Sequence, residues 1–63
     1  MNRIKKVRQQ KKIRQIDLAR SAGVSQPFLS DLENNRRGAK EETMRRIAEA
    51  LGVEVKDIVK EAG

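Results

Sequence analysis

The 63-residue chain has no cysteine, histidine, tryptophan or tyrosine, and one phenylalanine, Phe28. Without cysteine there are no disulfide staples, and without thiolate or imidazole the usual zinc sites are excluded. The same absences remove the side chains that most often transfer protons or attack as nucleophiles near neutral pH. A single aromatic ring cannot supply the row of stacking platforms that single-stranded nucleic acid uses. Apolar residues occur in runs of three at most, far short of the roughly 20 needed to span a bilayer as a helix. The basic N-terminus lacks the apolar centre of a secretory signal, so no leader is expected. A cysteine-free chain of this kind fits the cytoplasm, and that is the location expected.

Enzymatic function is poorly provided for in other ways too. Glu41 and Glu42 are adjacent and point about 100° apart on a helix, so they do not converge as an acid–base pair. Ser21, Ser25 and Ser30 have no base near them in sequence, and caps and turns account for them. No glycine-rich phosphate cradle is present. No catalytic residue, cofactor, metal, membrane or small-molecule ligand is expected.

What the chain does have is positive charge. Fifteen Lys and Arg oppose nine Asp and Glu, for a net +6. Residues 1–14 carry +7 with no acid, residues 15–34 sum to −2, residues 35–46 to +3 and residues 47–63 to −2. Two basic stretches flanking a nearly neutral segment suit a polyanion, with phosphates at the sides and bases in the middle. The same excess is also what a solvated basic surface carries. A chain this short buries only about 60% of its unfolded surface, so one small core and one domain, residues 1–63, are expected.

The segment from Gln15 to Asn34 organises that domain. Ala22 is the last apolar position of one short helix, and Gly23 after it suits a left-handed stop. Ser25 then opens a second helix as a hydroxyl N-cap. Pro27 sits in its first turn, where a missing N–H removes no helical bond. Leu18, Ala19 and Ala22 form one apolar face and Leu29 with Leu32 the other, with Val24 plugging the angle. This is a helix-turn-helix arrangement, whose second helix is built to enter a DNA major groove.

The remaining elements follow from apolar spacing. A first helix is expected over about 2–12, with Ile4 and Val7 inward and Ile13 acting as a staple before the second helix at 15–22. The third runs over 26–34. Met44, Ile47, Ala48 and Leu51 give the clearest helical period, over 41–51, ended by Gly52. A last helix is expected over 55–62, linked through Val53 and Val55, with Ile58 closing the core and Val59 near the surface as a candidate contact with a second copy. The fold class is thus all-α, five short helices in one domain. Arg14 occupies the N-cap of the second helix, where it caps poorly; Asp17 partly offsets this through the macrodipole. Gln15 lies at the start of that helix, where exposed N–H groups suit a phosphate. Ile16 falls off the apolar face. Phe28 falls off the Leu29–Leu32 face, which leaves two readings: a ring facing a groove and touching a thymine methyl, or a ring packed against the first or second helix. Glu33 follows Leu32 directly, so its carboxylate is partly covered and needs a partner; Arg8 is the candidate.

These residues resemble a known family. Ile13-x-Gln15-x-x-Leu18-Ala19-x-x-x-Gly23-Val24-Ser25-x-x-x-Leu29-Ser30-x-Leu32-Glu33-Asn34, continued by Ile47-Ala48-x-Ala50-Leu51-Gly52-Val53, is similar to the Xre-type helix-turn-helix domains of lambdoid phage repressor and Cro proteins, over about residues 4–60. The resemblance implies a compact five-helix, lambda-repressor-like domain that binds double-stranded operator DNA as a homodimer, a free monomer remaining open, and regulates transcription as a repressor. It implies a phosphate held at Gln15, base edges met by Gln26, Pro27 and Asp31, and backbone contacts from Asn34, Arg36 and Lys40, with Ser25 and Arg37 completing the expected phosphate set. It also implies pairing of Arg8 with Glu33. Three positions depart from the family pattern. Arg14 replaces the usual cap and offers a phosphate contact instead; Pro27 allows only apolar contact; Asp31 is acidic, suiting a cytosine amino group or repelling phosphate. An antitoxin or partner-tethering adaptor on the same fold, binding DNA secondarily, is the alternative reading.

Overall fold

A computed structural model describes residues 2–59. Four α-helices follow one another: α1 (Ile4–Gln10), α2 (Gln15–Ala22), α3 (Gln26–Glu33) and α4 (Glu41–Leu51). A single 3-10 turn, Val55–Asp57, comes after them. No strand is present among the described residues. The all-helical expectation therefore holds among the described residues, which contain four α-helices; a fifth is not confirmed. The last segment turns only once before Ile58, and residues 60–62 of the expected fifth helix lie outside the described residues.

The first helix is also shorter than its apolar spacing suggests. At its start, the Asn2 side chain accepts from the Ile4 N–H at 3.0 Å, doing the work of a cap while Arg3 departs from helical geometry. At its end, Lys12 turns left-handed at φ 57°. The Lys12 N–H then donates to the Gln9 carbonyl at 3.0 Å and the Ile13 N–H to the Arg8 carbonyl at 3.1 Å. This reversed double bond is the Schellman closure, in which a left-handed residue satisfies the helix's last carbonyls.

All four helices end the same way. Gly23 (φ 71°) and Gly52 (φ 72°) take the left-handed position after α2 and α4, as their glycines foretell. Val24 N–H reaches back to Ala19 O at 3.0 Å, and Val53 N–H to Ala48 O at 2.9 Å. After α3 the position falls to Asn35, φ 59°, with Arg36 N–H donating to Asp31 O at 2.9 Å. Asparagine tolerates this region and lysine less so, so the stops at Lys12 and Asn35 carry weaker sequence signals than the two glycines.

The core unites Ile4, Val7, Leu18, Ala19, Ala22, Leu29, Leu32, Ile47, Ala48, Leu51 and Ile58, all buried. Ile13, Val24, Phe28, Met44, Val53 and Val55 pack against it from partly exposed positions. Ile13 and Val24 thus serve as staple and plug, and Ile58 closes the core at 0% exposure. Among the described residues, Ile16 and Val59 are the large apolar side chains left exposed, each at 42%. α2 packs against both α3 and α4, which fixes the angle between α2 and α3.

The N-terminal strand of chain is tied to the same place. Asn2 Nδ2 donates to the Leu32 carbonyl at 2.7 Å and to Asn35 Oδ1 at 3.2 Å. The Arg3 N–H donates to the Ile58 carbonyl at 3.0 Å. The N-terminal segment is therefore bonded both to the end of α3 and to Ile58 near the end of the described chain.

Candidate nucleic-acid interface

α3 begins at Ser25, whose hydroxyl oxygen accepts from the Phe28 N–H at 3.1 Å. Pro27 lies in the first turn beside it. This start leaves Gln26 and Pro27 exposed in the first turn of the helix, while Leu29 and Leu32 turn inward. Asp31 and Phe28 are half-buried along the flank.

A row of polar side chains supports Gln26 from behind. Gln26 Nε2 donates to Gln15 Oε1 at 3.3 Å, and Gln15 Nε2 donates to Glu33 Oε1 at 3.0 Å. Glu33 is buried, at 5% exposure. Arg8 grips it with two bonds, Nε to Oε2 at 2.7 Å and Nη2 to Oε1 at 3.2 Å. Arg8 Nη1 also donates to the Ile13 carbonyl at 2.9 Å. The chain of contacts runs from the surface at Gln26 through α2 to α1, and among the described residues no buried side-chain nitrogen or oxygen is left unpaired. The inner part of this row, Glu33 with Arg8 and Gln15, is buried or partly buried and fully paired, so breaking a member strands another in low dielectric, while the Gln26–Gln15 bond lies at the surface.

The cations around α3 are held as well. Arg14 Nε donates to Asp17 Oδ2 at 2.7 Å and its Nη2 to Oδ1 at 3.3 Å, a surface pair across the first turn of α2, whose N-terminal N–H groups the Arg14 side chain does not cap. That hydrogen bond holds the Asp17 carboxyl below its ordinary value. Arg36 approaches Asp31 at 3.7 Å. The Arg37 guanidinium carbon lies 4.2 Å from the centre of the Phe28 ring. Asn34, just past α3, donates from Nδ2 to the Ser30 carbonyl at 2.8 Å, and Lys40 is exposed before α4.

Phe28 is half-buried, with its ring packed against the core and Arg37 over it. The structure brings Gln15, Gln26, Arg8 and Glu33 into one network, and sets Arg14, Asn34, Arg36, Arg37 and Lys40 outside it on the surface. Sequence reasoning found the Arg8–Glu33 pair but missed Gln15 as the link between Glu33 and Gln26. The i,i+3 spacing of Arg14 and Asp17 was a usable signal. Nothing local announced Arg37 over Phe28, since that contact depends on the turn at Asn35.

A helix-turn-helix family model matches residues 4–58, nearly all of the described chain. The chain belongs to the Xre-like helix-turn-helix family. It is 39% identical over 59 residues to an immunity repressor protein of Bacillus phage phi105, a match covering 94% of this chain and 41% of that protein. It is 37% identical over 57 residues to the HTH-type transcriptional regulator DdrOP3 of Deinococcus deserti, covering 90% and 44%. The chain thus spans less than half the length of these curated relatives. Among solved structures, the clp gene regulator ClgR from C. glutamicum superimposes with a TM-score of 0.82 at 31% identity, covering 86% of this chain and 70% of that one. Family and relatives are regulators and not enzymes.

Proposed function

We propose that this helix-turn-helix chain reads a specific double-stranded DNA sequence as part of a transcriptional repressor in the cytoplasm, with α3 in the major groove of a two-fold operator. The observation that carries the reading is the row from Gln26 to Arg8. An exposed amide at the tip of α3 is steadied by Gln15, which is itself anchored on a buried ion pair. Preorganised amides of this kind pair with adenine through two hydrogen bonds. Pro27 adds apolar contact beside Gln26. Asp31 accepts from a cytosine amino group and, held near Arg36, discourages other bases. Gln15, Ser25 and Asn34 with Arg14, Arg36, Arg37 and Lys40 meet phosphates on either side, fixing register without reading sequence. The names of the phage and Deinococcus relatives support repression and regulation. Two copies bind half-sites about one helical turn apart, ~34 Å, with exposed Val59 at their contact.

Selection of bound sites from a random duplex pool, followed by titration against the recovered site, tests this. Gln26→Ala is expected to lower discrimination at one base pair by about 1–3 kcal/mol while leaving affinity for unrelated duplex nearly unchanged. An equal fall on all sequences removes Gln26 from the base readers. Absence of any salt-dependent duplex binding at low micromolar protein favours the adaptor reading instead.

Asp17 sets a second expectation. Its carboxylate holds Arg14 at neutral pH and competes with phosphate for the same donors. Asp17→Asn is expected to strengthen binding to any duplex modestly at low salt, by about two- to fivefold, since an exposed pair is weak, and the gain should shrink as salt rises. The sign with pH follows from the lowered value of the carboxyl. The pair stabilises the fold above the unfolded carboxyl value and is lost as pH falls through the folded one. Unchanged affinity in Asp17→Asn assigns Arg14 no phosphate contact.

A further inference from the structure

Read from sequence alone, Phe28 and Arg37 have separate tasks, a thymine methyl for one and a phosphate for the other. The structure joins them. Past the left-handed stop at Asn35 the chain turns back on itself, and the Arg37 guanidinium carbon comes to lie 4.2 Å from the Phe28 ring centre. That is well inside the roughly 6 Å over which a ring face attracts a cation. Arg37 also lines an open hollow together with Leu32, Met44 and Val59, so apolar surface is available to its stem.

The three arginines flanking α3 are held in different ways. Arg14 faces the Asp17 carboxylate and Arg36 faces that of Asp31. Either must share or release its partner to bind a phosphate. Arg37 is held by a ring, which takes up no oxygen acceptor and leaves the guanidinium its N–H donors. A long side chain thereby loses its freedom before DNA arrives, and no competing carboxylate is left behind. The covered ring, in turn, is closed to a base methyl on that face.

We infer that Phe28 is a positioning residue: its ring holds Arg37 beside α3, and Arg37, not the ring, makes the contact, with a duplex phosphate. The inference rests on the DNA-binding reading above and deepens it.

The test is a cycle of Phe28→Leu, Arg37→Met and the double variant. Leucine keeps apolar bulk against the core; methionine keeps the stem and removes the charge. Binding to the duplex recovered from the random pool is measured as a function of salt. Arg37→Met is expected to reduce the salt slope by about one. Phe28→Leu should weaken binding about two- to fivefold, the range of an exposed cation–ring contact, and lower the slope in part. Adding Phe28→Leu to Arg37→Met should then change nothing further. Replacing thymine by deoxyuridine in the duplex should affect the native chain and Phe28→Leu by the same factor. A Phe28→Leu loss that persists in full beside Arg37→Met, or one that disappears with the thymine methyls, overturns the inference. The free native protein supplies an arm that needs neither DNA nor a folded variant. The Arg37 side-chain protons should be shifted upfield by the ring current of Phe28, and random-coil positions for them overturn the inference whatever the duplex data show. A native chain that binds no duplex at any salt, its Arg37 protons still shifted, overturns the DNA-binding reading first and this inference with it.

Discussion

Arg8→Met is expected to destabilise the fold by about 3–5 kcal/mol, because it leaves the Glu33 carboxylate buried without its cation. The Glu33 side chain is 1% exposed and that of Arg8 12%, so water cannot replace the lost partner. The substitution also removes the donor to the Ile13 carbonyl. Natural domains hold about 0.05–0.15 kcal/mol per residue, which for this length amounts to a total of about 3–9 kcal/mol, so the variant should be largely unfolded or close to it. Urea titration followed by circular dichroism measures the change. The comparison that isolates the pair is Arg8→Met with Glu33→Leu. Replacing a buried ion pair by apolar side chains is often neutral, although here it strands Gln15, which donates to Glu33. The double variant should therefore recover most but not all of the loss, and a native-like core should return with a loosened Gln26. A loss below about 1 kcal/mol for Arg8→Met contradicts the buried pair as the anchor of the network.

The second large effect lies at the other end of the chain. Ile58→Ala is expected to cost about 2–5 kcal/mol, the range for a fully buried side chain replaced by alanine where the cavity cannot collapse. Ile58 is completely buried, and its carbonyl accepts the bond from Arg3 that ties the two ends together. In a domain this small each kcal/mol shifts the melting temperature by roughly 4–8 °C, so a fall of at least ten degrees or so is expected. The neighbouring Val59→Ala, at an exposed site, should stay within about 0.5 kcal/mol. Equal effects at the two positions mean that the segment after Val55–Asp57 is not docked as described.

These two sites differ in how legible they were. Ile58 could be placed in the core because, of the apolar residues after the Gly52 stop, Val53 and Val55 serve as links and Ile58 is the largest one left to close it. The Arg8–Glu33 pair was readable as a need: an acid next to a core leucine wants a cation, and Arg8 lies beside the inward face of the first helix. That Gln15 joins them was not, since a glutamine at a helix start satisfies the local rules equally well by facing water. The reach of α1 illustrates a different limit. Ile4 and Val7 define its face, but its length was set by Asn2 reaching forward to the Ile4 N–H and by Lys12 accepting a left-handed backbone. Neither event changes the apolar spacing on which a helix is recognised. Where a fifth helix is expected, the described residues make a single 3-10 turn, for the converse reason. Its apolar positions were real, and Ile58 is buried as they require, but one 3-10 turn suffices to deliver Ile58 to the core.

The order of amino acids by itself decided the class of the protein: the α2–Gly23–α3 unit, its Ser25 cap, its inward leucines and the basic flanks are local or compositional properties, governed by neighbours a few positions away. Tertiary structure alone decided which polar groups work together. Gln26 meets Gln15 across 11 positions, Glu33 meets Arg8 across 25, and Arg37 finds Phe28 only after the turn at Asn35. Such contacts depend on the angle between packed helices, and that angle is set by the shape of the shared core and not by any residue's own preference.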